Sequence, residues 1–247
     1  SDNIAHDLKT PLTRLRNRAD EALRCASSPE ELRAALEAVI EEGDGLIRVF
    51  NALLMIARLE AGSAREILVP LDLGQAVRGV GDLYEALAED QGLVLDVRTE
   101  EGLTIAGNRE LIGQALANLV DNALKYGAAS DGTAARVTLE AWRAGETVRL
   151  AVSDPGPGIP EAERARVLDR FVRLEDARTR PGFGLGLSLV NAVVRLHQGT
   201  LRLADNAPGL RVEISFPAET GAGGETGDIG HAPPSDGPVP AAPSRAR

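Results

Sequence analysis

The sequence predicts an α+β protein in two parts, a helical hairpin followed by an α/β sandwich, and three observations carry that prediction. Residues 1–61 hold no alternating strand pattern and repeat their apolar residues in steps of three and four. From residue 68 onward the pattern changes to helices interleaved with short alternating strands. The last thirty residues hold six glycines and five prolines, with only Ile229 and Val239 as large aliphatics, and such a composition cannot offset its ordering entropy. The expected boundaries are a hairpin over 1–61, a folded domain over 68–217 and a disordered tail over 218–247.

In the first part, Leu32, Leu36, Val39, Gly43, Leu46, Phe50, Leu53 and Ala57 form an unbroken seam, with Ile40, Ile47 and Leu54 recurring beside it. A seam this wide suits a helix packed on more than one partner, as in a four-helix bundle. Ala5, Leu8, Leu12, Leu15, Ala19 and Ala22 make a shorter series on an earlier helix. Between them Ser28-Pro29-Glu30-Glu31 reads as a capping box with proline at the first helical position, which puts the turn near residues 25–28. Two helices cannot close a core alone, so the hairpin is expected to pair with a second copy as a homodimer. The alternative is a hairpin docked on the rest of its own chain. Folding it about residue 27 sets residue 48 opposite His6 and brings Gly43 and Gly45, both helix-weakening, close to that level.

In the second part, Leu71–Ala88 reads as an amphipathic helix, with Leu93–Arg98 and Leu103–Ala106 as strands. Asn108 is placed to cap a helix running to Tyr126. Strands follow at Arg136–Trp142 and Val148–Val152, then helices near Glu161–Leu168 and Leu185–Leu196, then strands at Thr200–Ala204 and Arg211–Phe216.

Composition narrows the function. Among 247 residues, 37 acidic side chains outnumber 27 basic ones, giving a net charge of −10. That balance argues against a nucleic-acid binder relying on phosphate neutralisation and against a polybasic membrane anchor. The single cysteine, Cys25, rules out an internal disulfide, and no apolar run approaches the ~18 residues of a membrane span. The expectation is a soluble, intracellular protein.

Four motifs can carry chemistry. Asn118 and Asn122, one helical turn apart and followed by Lys125 and Tyr126, offer two carboxamide oxygens and an ammonium for a magnesium–phosphate group. Asp154-Pro155-Gly156-Pro157-Gly158 follows a strand, where a carboxylate can accept from an exocyclic amine while glycine backbone approaches the ligand. Gly182-Phe183-Gly184-Leu185-Gly186 opens a helix whose N–H groups suit phosphate, although neither the dinucleotide fingerprint nor a Walker motif is present. His6-Asp7-Leu8-Lys9-Thr10-Pro11 puts a histidine off the apolar stripe beside a carboxylate that can polarise it, with Thr10 one turn on and Pro11 expected to bend the helix. Taken singly, each has an ordinary structural reading.

In order and together, these motifs closely resemble the sensor histidine kinases of two-component systems, over residues 1 to about 217. The resemblance implies a dimerisation and histidine-phosphotransfer hairpin, forming a dimeric four-helix bundle, followed by a Bergerat-type ATP-binding domain. It makes His6 the phosphoacceptor, Asp7 its acid/base partner and Thr10 the residue that orients water against a regulator's phosphoaspartate. It gives Mg²⁺ to Asn118 and Asn122, phosphate to Lys125, adenine stacking to Tyr126 and the adenine amine to Asp154, walled by Gly156 and Gly158. Arg170 and Arg173, in the box Arg170-Phe171-Val172-Arg173, would meet the γ-phosphate. Residues 178–183 would form a lid, with Gly182, Gly184 and Gly186 on its phosphate side. The implied cofactors are ATP and Mg²⁺, and the implied partners are a second copy and a response regulator receiver domain. Gly127, Leu168 and Phe183 depart from the usual pattern without removing a group needed for metal or phosphate. His197 reads as structural, near a helix C-terminus whose dipole a protonated ring would suit. Because the chain begins five residues before His6, it reads as the cytoplasmic catalytic end of a longer receptor anchored in the inner membrane. The competing classes are a non-catalytic dimeric scaffold and a Bergerat-fold serine kinase.

Overall fold

The computed structural model describes residues 2–25, 28–60, 68–127, 135–174 and 184–219, with backbone alone for residues 2–11 and a few other hairpin positions. Helix α1 (Asp2–Cys25) runs without interruption through Pro11. Helix α2 (Pro29–Glu60) starts where the capping residues put it, and Ser28 Oγ accepts from the Glu31 N–H at 3.1 Å. Leu15 stands opposite Gly43, 3.9 Å from where a Cβ there would lie, and Ala22 is buried between the helices.

The outward side of the hairpin keeps its apolar stripe in the single chain. Leu36, Ile40, Ile47 and Phe50 are 49–62% exposed, a cost that a second copy packed along the seam would remove. The C-terminal quarter of α2 is different. Ile56 is 1% exposed and joins the main core, with Ala52 and Met55 packed against it. Both expectations for the hairpin therefore have a physical counterpart: its far end is docked on its own chain, and its length is left uncovered.

The second part is a sheet covered by helices. Strands β1 (Val69–Asp72) and β3 (Thr104–Gly107) form an antiparallel pair. Strands β2 (Val94–Thr99), β4 (Arg136–Ala144), β5 (Thr147–Asp154), β6 (Thr200–Asp205) and β7 (Leu210–Pro217) form a five-stranded sheet in the order β2-β4-β5-β7-β6, in which only β2 and β4 run parallel. Alternation puts Val137, Leu139 and Ala141 of β4, Val148, Leu150 and Val152 of β5, and Val212, Ile214 and Phe216 of β7 into one core. That core is shared with α3 (Leu73–Asp90), α4 (Arg109–Tyr126) and α6 (Gly186–Leu196). The opposite sheet face carries ion pairs such as Arg211–Glu140 at 2.7 Å and Arg98–Asp96 at 2.7 Å.

Several boundaries differ from the sequence reading. Leu71 and Asp72 belong to β1, paired with Ile105 and Thr104, and α3 begins at Leu73. Asp72 is instead the cap, accepting from the Gln75 N–H at 3.0 Å. The segment read as a helix over 161–168 is one turn, α5 (Glu161–Arg164), followed by a 3₁₀ turn over Arg166–Leu168. Pro160 supplies no side-chain cap and four residues scarcely exceed a helix nucleus. The folded domain also runs two residues beyond 217, since the N–H groups of Ala218 and Glu219 donate to Glu146 and Thr104 carbonyls at 2.9 Å. Residues 220–247 lie outside the described residues.

His197 is buried at the end of α6. The Asn108 N–H donates to its Nε2 at 3.0 Å, so the ring's proton sits on Nδ1 and is donated to the Val193 carbonyl at 2.7 Å. Burial pushes its pKa below the ordinary 6.5. The residue is structural, as expected, but neutral: a proton on Nε2 would face another donor.

Candidate functional site

Helix α4 is the floor of the site. Asn108 Oδ1 accepts from the N–H groups of Glu110 and Leu111 at 3.0 and 3.2 Å, and this cap sets the helix register. Leu111, Ile112, Ala115, Leu116, Leu119 and Ala123 face the core, which leaves Asn118 and Asn122 half-buried on the adjoining face. Asn118 Nδ2 donates to the Gln114 carbonyl at 2.8 Å, so its oxygen is the atom turned outward. A Cβ on Gly186, the first residue of α6, would stand 3.3 Å from Asn118 Oδ1 and 3.4 Å from Asn122 Nδ2. The N-terminus of α6 thus abuts both carboxamides.

The end of β5 meets the end of the same helix. Asp154 is 7% exposed, and its Oδ1 accepts from the Gly156 N–H at 2.9 Å. Burial raises its pKa, against the opposing pull of the Gly156 and Leu210 N–H groups. A Cβ at Gly156 would strike the Tyr126 carbonyl, and one at Gly127 would strike the Ala123 carbonyl and press on Asp154 Cβ. Glycine at 127 is therefore a spatial necessity in this chain. Lys125 Nζ lies 5.1 Å from the centre of the Tyr126 ring.

The third wall joins the arginine box to α6. The Phe171 N–H donates to the Gly184 carbonyl at 2.9 Å, with Phe171 at φ 63° and Gly184 at φ 70°. A side chain at Gly184 would strike the Val172 carbonyl and stand 3.0 Å from Arg173 Cγ. Arg170 and Arg173 are both half-buried here. Gly158, at φ 71°, packs against the Gly209 backbone.

Asn118, Asn122, Lys125, Tyr126, Asp154, Gly156, Gly184 and Gly186 are thus brought to one end of the sheet, with Arg173 beside Gly184 and Gly158 on the outer edge of the Asp154 loop. Gly182 and the lid over 178–183 lie outside the described residues, as do the side chains of His6, Asp7 and Thr10. The backbone puts all three in the first turns of α1.

Two features escaped the sequence reading. Leu53 of α2 packs with Leu185 and Phe171, so the hairpin touches the site through the residue before Gly186 and the residue after Arg170. The β6–β7 turn is tied to the Asp154 loop, for Asn206 Nδ2 donates to the Asp154 carbonyl at 2.9 Å. Leu53 read only as a seam position, and the sequence over 205–209 signals no more than a turn.

Among the described residues no cluster of three or more His, Cys, Asp or Glu could hold a metal. The donor set is instead two neutral carboxamide oxygens, which fits a hard cation that takes its remaining ligands from phosphate and water.

Comparison with known proteins gives two family matches in the same order as the two parts. Residues 1–62 match the His Kinase A (phospho-acceptor) domain, and residues 107–220 match the histidine kinase-, DNA gyrase B- and HSP90-like ATPase. The Sensor protein IrlS of Burkholderia pseudomallei is 33% identical over 222 residues, covering 88% of this chain and 46% of that protein. The solved structure of full-length ShkA in complex with AMPPNP superposes with a TM-score of 0.66 at 27% identity, over 88% of this chain and 45% of that one. ThkA in complex with the response regulator protein TrrA has a TM-score of 0.65 at 22% identity, over 88% of this chain and 60% of that one, a likeness of fold. The chain spans just under half the length of the curated relatives it matches, 46% and 44% for the first two. Among the described residues no helix is long and apolar enough to cross a membrane.

Proposed function

The chain belongs to the sensor histidine kinases of two-component systems, and from that premise we propose that it phosphorylates itself on His6 from ATP and passes the phosphoryl group to an aspartate of a response regulator. The observation that carries this reading is the convergence of the Asn118–Asn122 face, the Asp154 loop and the first turn of α6 on one place. In this reading they line a nucleotide site, with the Asp154 carboxylate at its base end and the N–H groups opening α6 at its phosphate end.

In this reading Asp154 accepts from the adenine amine, Gly156 and Gly158 wall the base, and Tyr126 stacks on it. Lys125, Arg170, Arg173 and the N–H groups at Gly184 and Gly186 neutralise phosphate charge as it redistributes in the transition state. Asn118 and Asn122 would hold Mg²⁺, which when bound supplies charge neutralisation between phosphate oxygens. Asp7 polarises the His6 imidazole, whose ring nitrogen attacks the γ-phosphorus. The bond to the bridging oxygen breaks and ADP leaves. Since little covalent chemistry falls to the protein, positioning accounts for most of the rate. Thr10, one turn from His6, orients water for dephosphorylating the regulator, which gives the chain a phosphatase activity as well.

The proposed partners are a second copy, along the exposed α2 stripe, and a receiver domain, as ThkA has in its complex with TrrA. ATP use assigns the reaction to the cytoplasmic side, as the catalytic end of a longer receptor.

Incubation with γ-labelled ATP tests the reading. Label that is lost in acid and kept in alkali is the expected result, the signature of phosphohistidine. Acid-stable label would mean a serine kinase, and no label would mean a scaffold.

A further inference from the structure

The Asp154 loop leaves the sheet at a point where its backbone has lost its ladder partners. Asp154 is the last residue of β5 paired with β7, opposite Leu210, and Pro155 has no N–H to continue the ladder. Its buried carbonyl still needs a donor. That donor is Asn206 Nδ2, at 2.9 Å, from a residue 52 positions away.

The carboxamide is not needed to close its own turn. Asn206 donates its backbone N–H to the Gly209 carbonyl at 3.1 Å, and Asp205 Oδ1 accepts from the Ala207 N–H at 3.3 Å. Asn206 is also exposed, so burial does not account for it. Further contacts tie the turn to the Asp154 loop. The Gly209 backbone fits against the Asp154 carbonyl and Pro155 so closely that any Cβ there would strike them. A Cβ at Gly158 would come 2.7 Å from the Gly209 carbonyl oxygen. Leu210, which follows Gly209, is paired with Asp154 at the end of the ladder.

We infer that Asn206 is a positioning residue for purine recognition, holding the peptide between Asp154 and Pro155 so that the Asp154 carboxylate faces an exocyclic amine. This rests on the nucleotide-site reading above. Without the Asn206 bond the Asp154 carbonyl loses its side-chain donor and the peptide that aims the carboxylate loses one of its restraints, while the phosphate end of the site, on α4 and α6, is untouched. The loss therefore falls on amine recognition alone.

The test compares affinity for ATP and for ITP, which lacks the exocyclic amine, using the whole chain and competition against a fluorescent nucleotide. Asn206→Ala is expected to weaken ATP binding about tenfold while ITP binding changes less than about twofold, the loss of one charge-linked hydrogen bond. Asn206→Ser keeps a donor and is expected to recover part of the discrimination; it also carries the comparison should the alanine variant fail to fold. Equal losses for both nucleotides would make Asn206 merely structural, and unchanged ATP affinity would make its bond irrelevant; either overturns the inference. Asp154→Ala runs in parallel to separate the two levels. If it lowers ATP to the affinity of ITP and Asn206→Ala does not, only the role of Asn206 falls. If Asp154→Ala leaves ATP above ITP, the amine-reading assignment falls, and the inference with it.

Discussion

His197 shows how one proton is placed by geometry and then read out as stability. The Asn108 N–H pointing at Nε2 fixes the neutral tautomer, and Asn108 is also the cap of α4, whose face carries Asn118 and Asn122. Burial lowers the folded-state pKa below 6.5, so the unfolded chain binds the proton more readily. The stability this contributes is complete above the unfolded value of 6.5 and is lost as the pH falls from there through the lower folded value. The melting temperature of the intact protein should therefore drop on acidification from about pH 7 to about pH 5.5. His197→Gln keeps an acceptor for the Asn108 N–H but cannot titrate, and its melting temperature should fall less over the same interval. Parallel falls for both proteins would remove His197 from this role.

At the scale of elements, the helix seam carries its own weak point. Among the described residues a Cβ at Gly43 would meet Leu15 Cδ1 alone, at an ordinary 3.9 Å, so no described neighbour requires glycine there. Gly43→Ala should stabilise the hairpin by about 0.8–1 kcal/mol, visible as a higher melting temperature. An unchanged or lower value would mean that α2 needs glycine for another reason.

The caps, the first strand and the site loops illustrate what a sequence makes legible. Ser28 and Asn108 announced their helices because a cap acts on N–H groups two or three residues away. Asp72 was missed because Leu71 and Leu73 are both buried, so a strand end and a helix start merged into one apolar pattern. The site residues on α4, the Asp154 loop and α6 were visible as motifs because each is local. The bond from Asn206 to Asp154 was not, since it joins positions 52 apart across a turn that any polar residue could have occupied. Hairpin register depends on how two seams interlock, which no single seam reveals.

Across the whole molecule, the hairpin and the α/β domain meet where Leu53, with Ala52, packs against Leu185 and Phe171. The uncovered stripe at Ile40, Ile47 and Phe50 lies along α2 and is the surface we propose for a second copy. Ile40→Glu with Ile47→Glu should convert a dimer to a monomer in light scattering while leaving nucleotide affinity near wild type, because neither residue belongs to the α/β core. A variant that stays dimeric would put the dimer surface elsewhere.

The central claim is that one part of the chain binds ATP and another, through His6, accepts its phosphoryl group. The most direct measurement pairs nucleotide affinity with incorporation of γ-label in the His6→Gln protein. The account predicts no acid-labile label and an ATP affinity within about twofold of wild type, because His6 lies on α1, outside the nucleotide cleft. Acid-labile label retained by His6→Gln would contradict it.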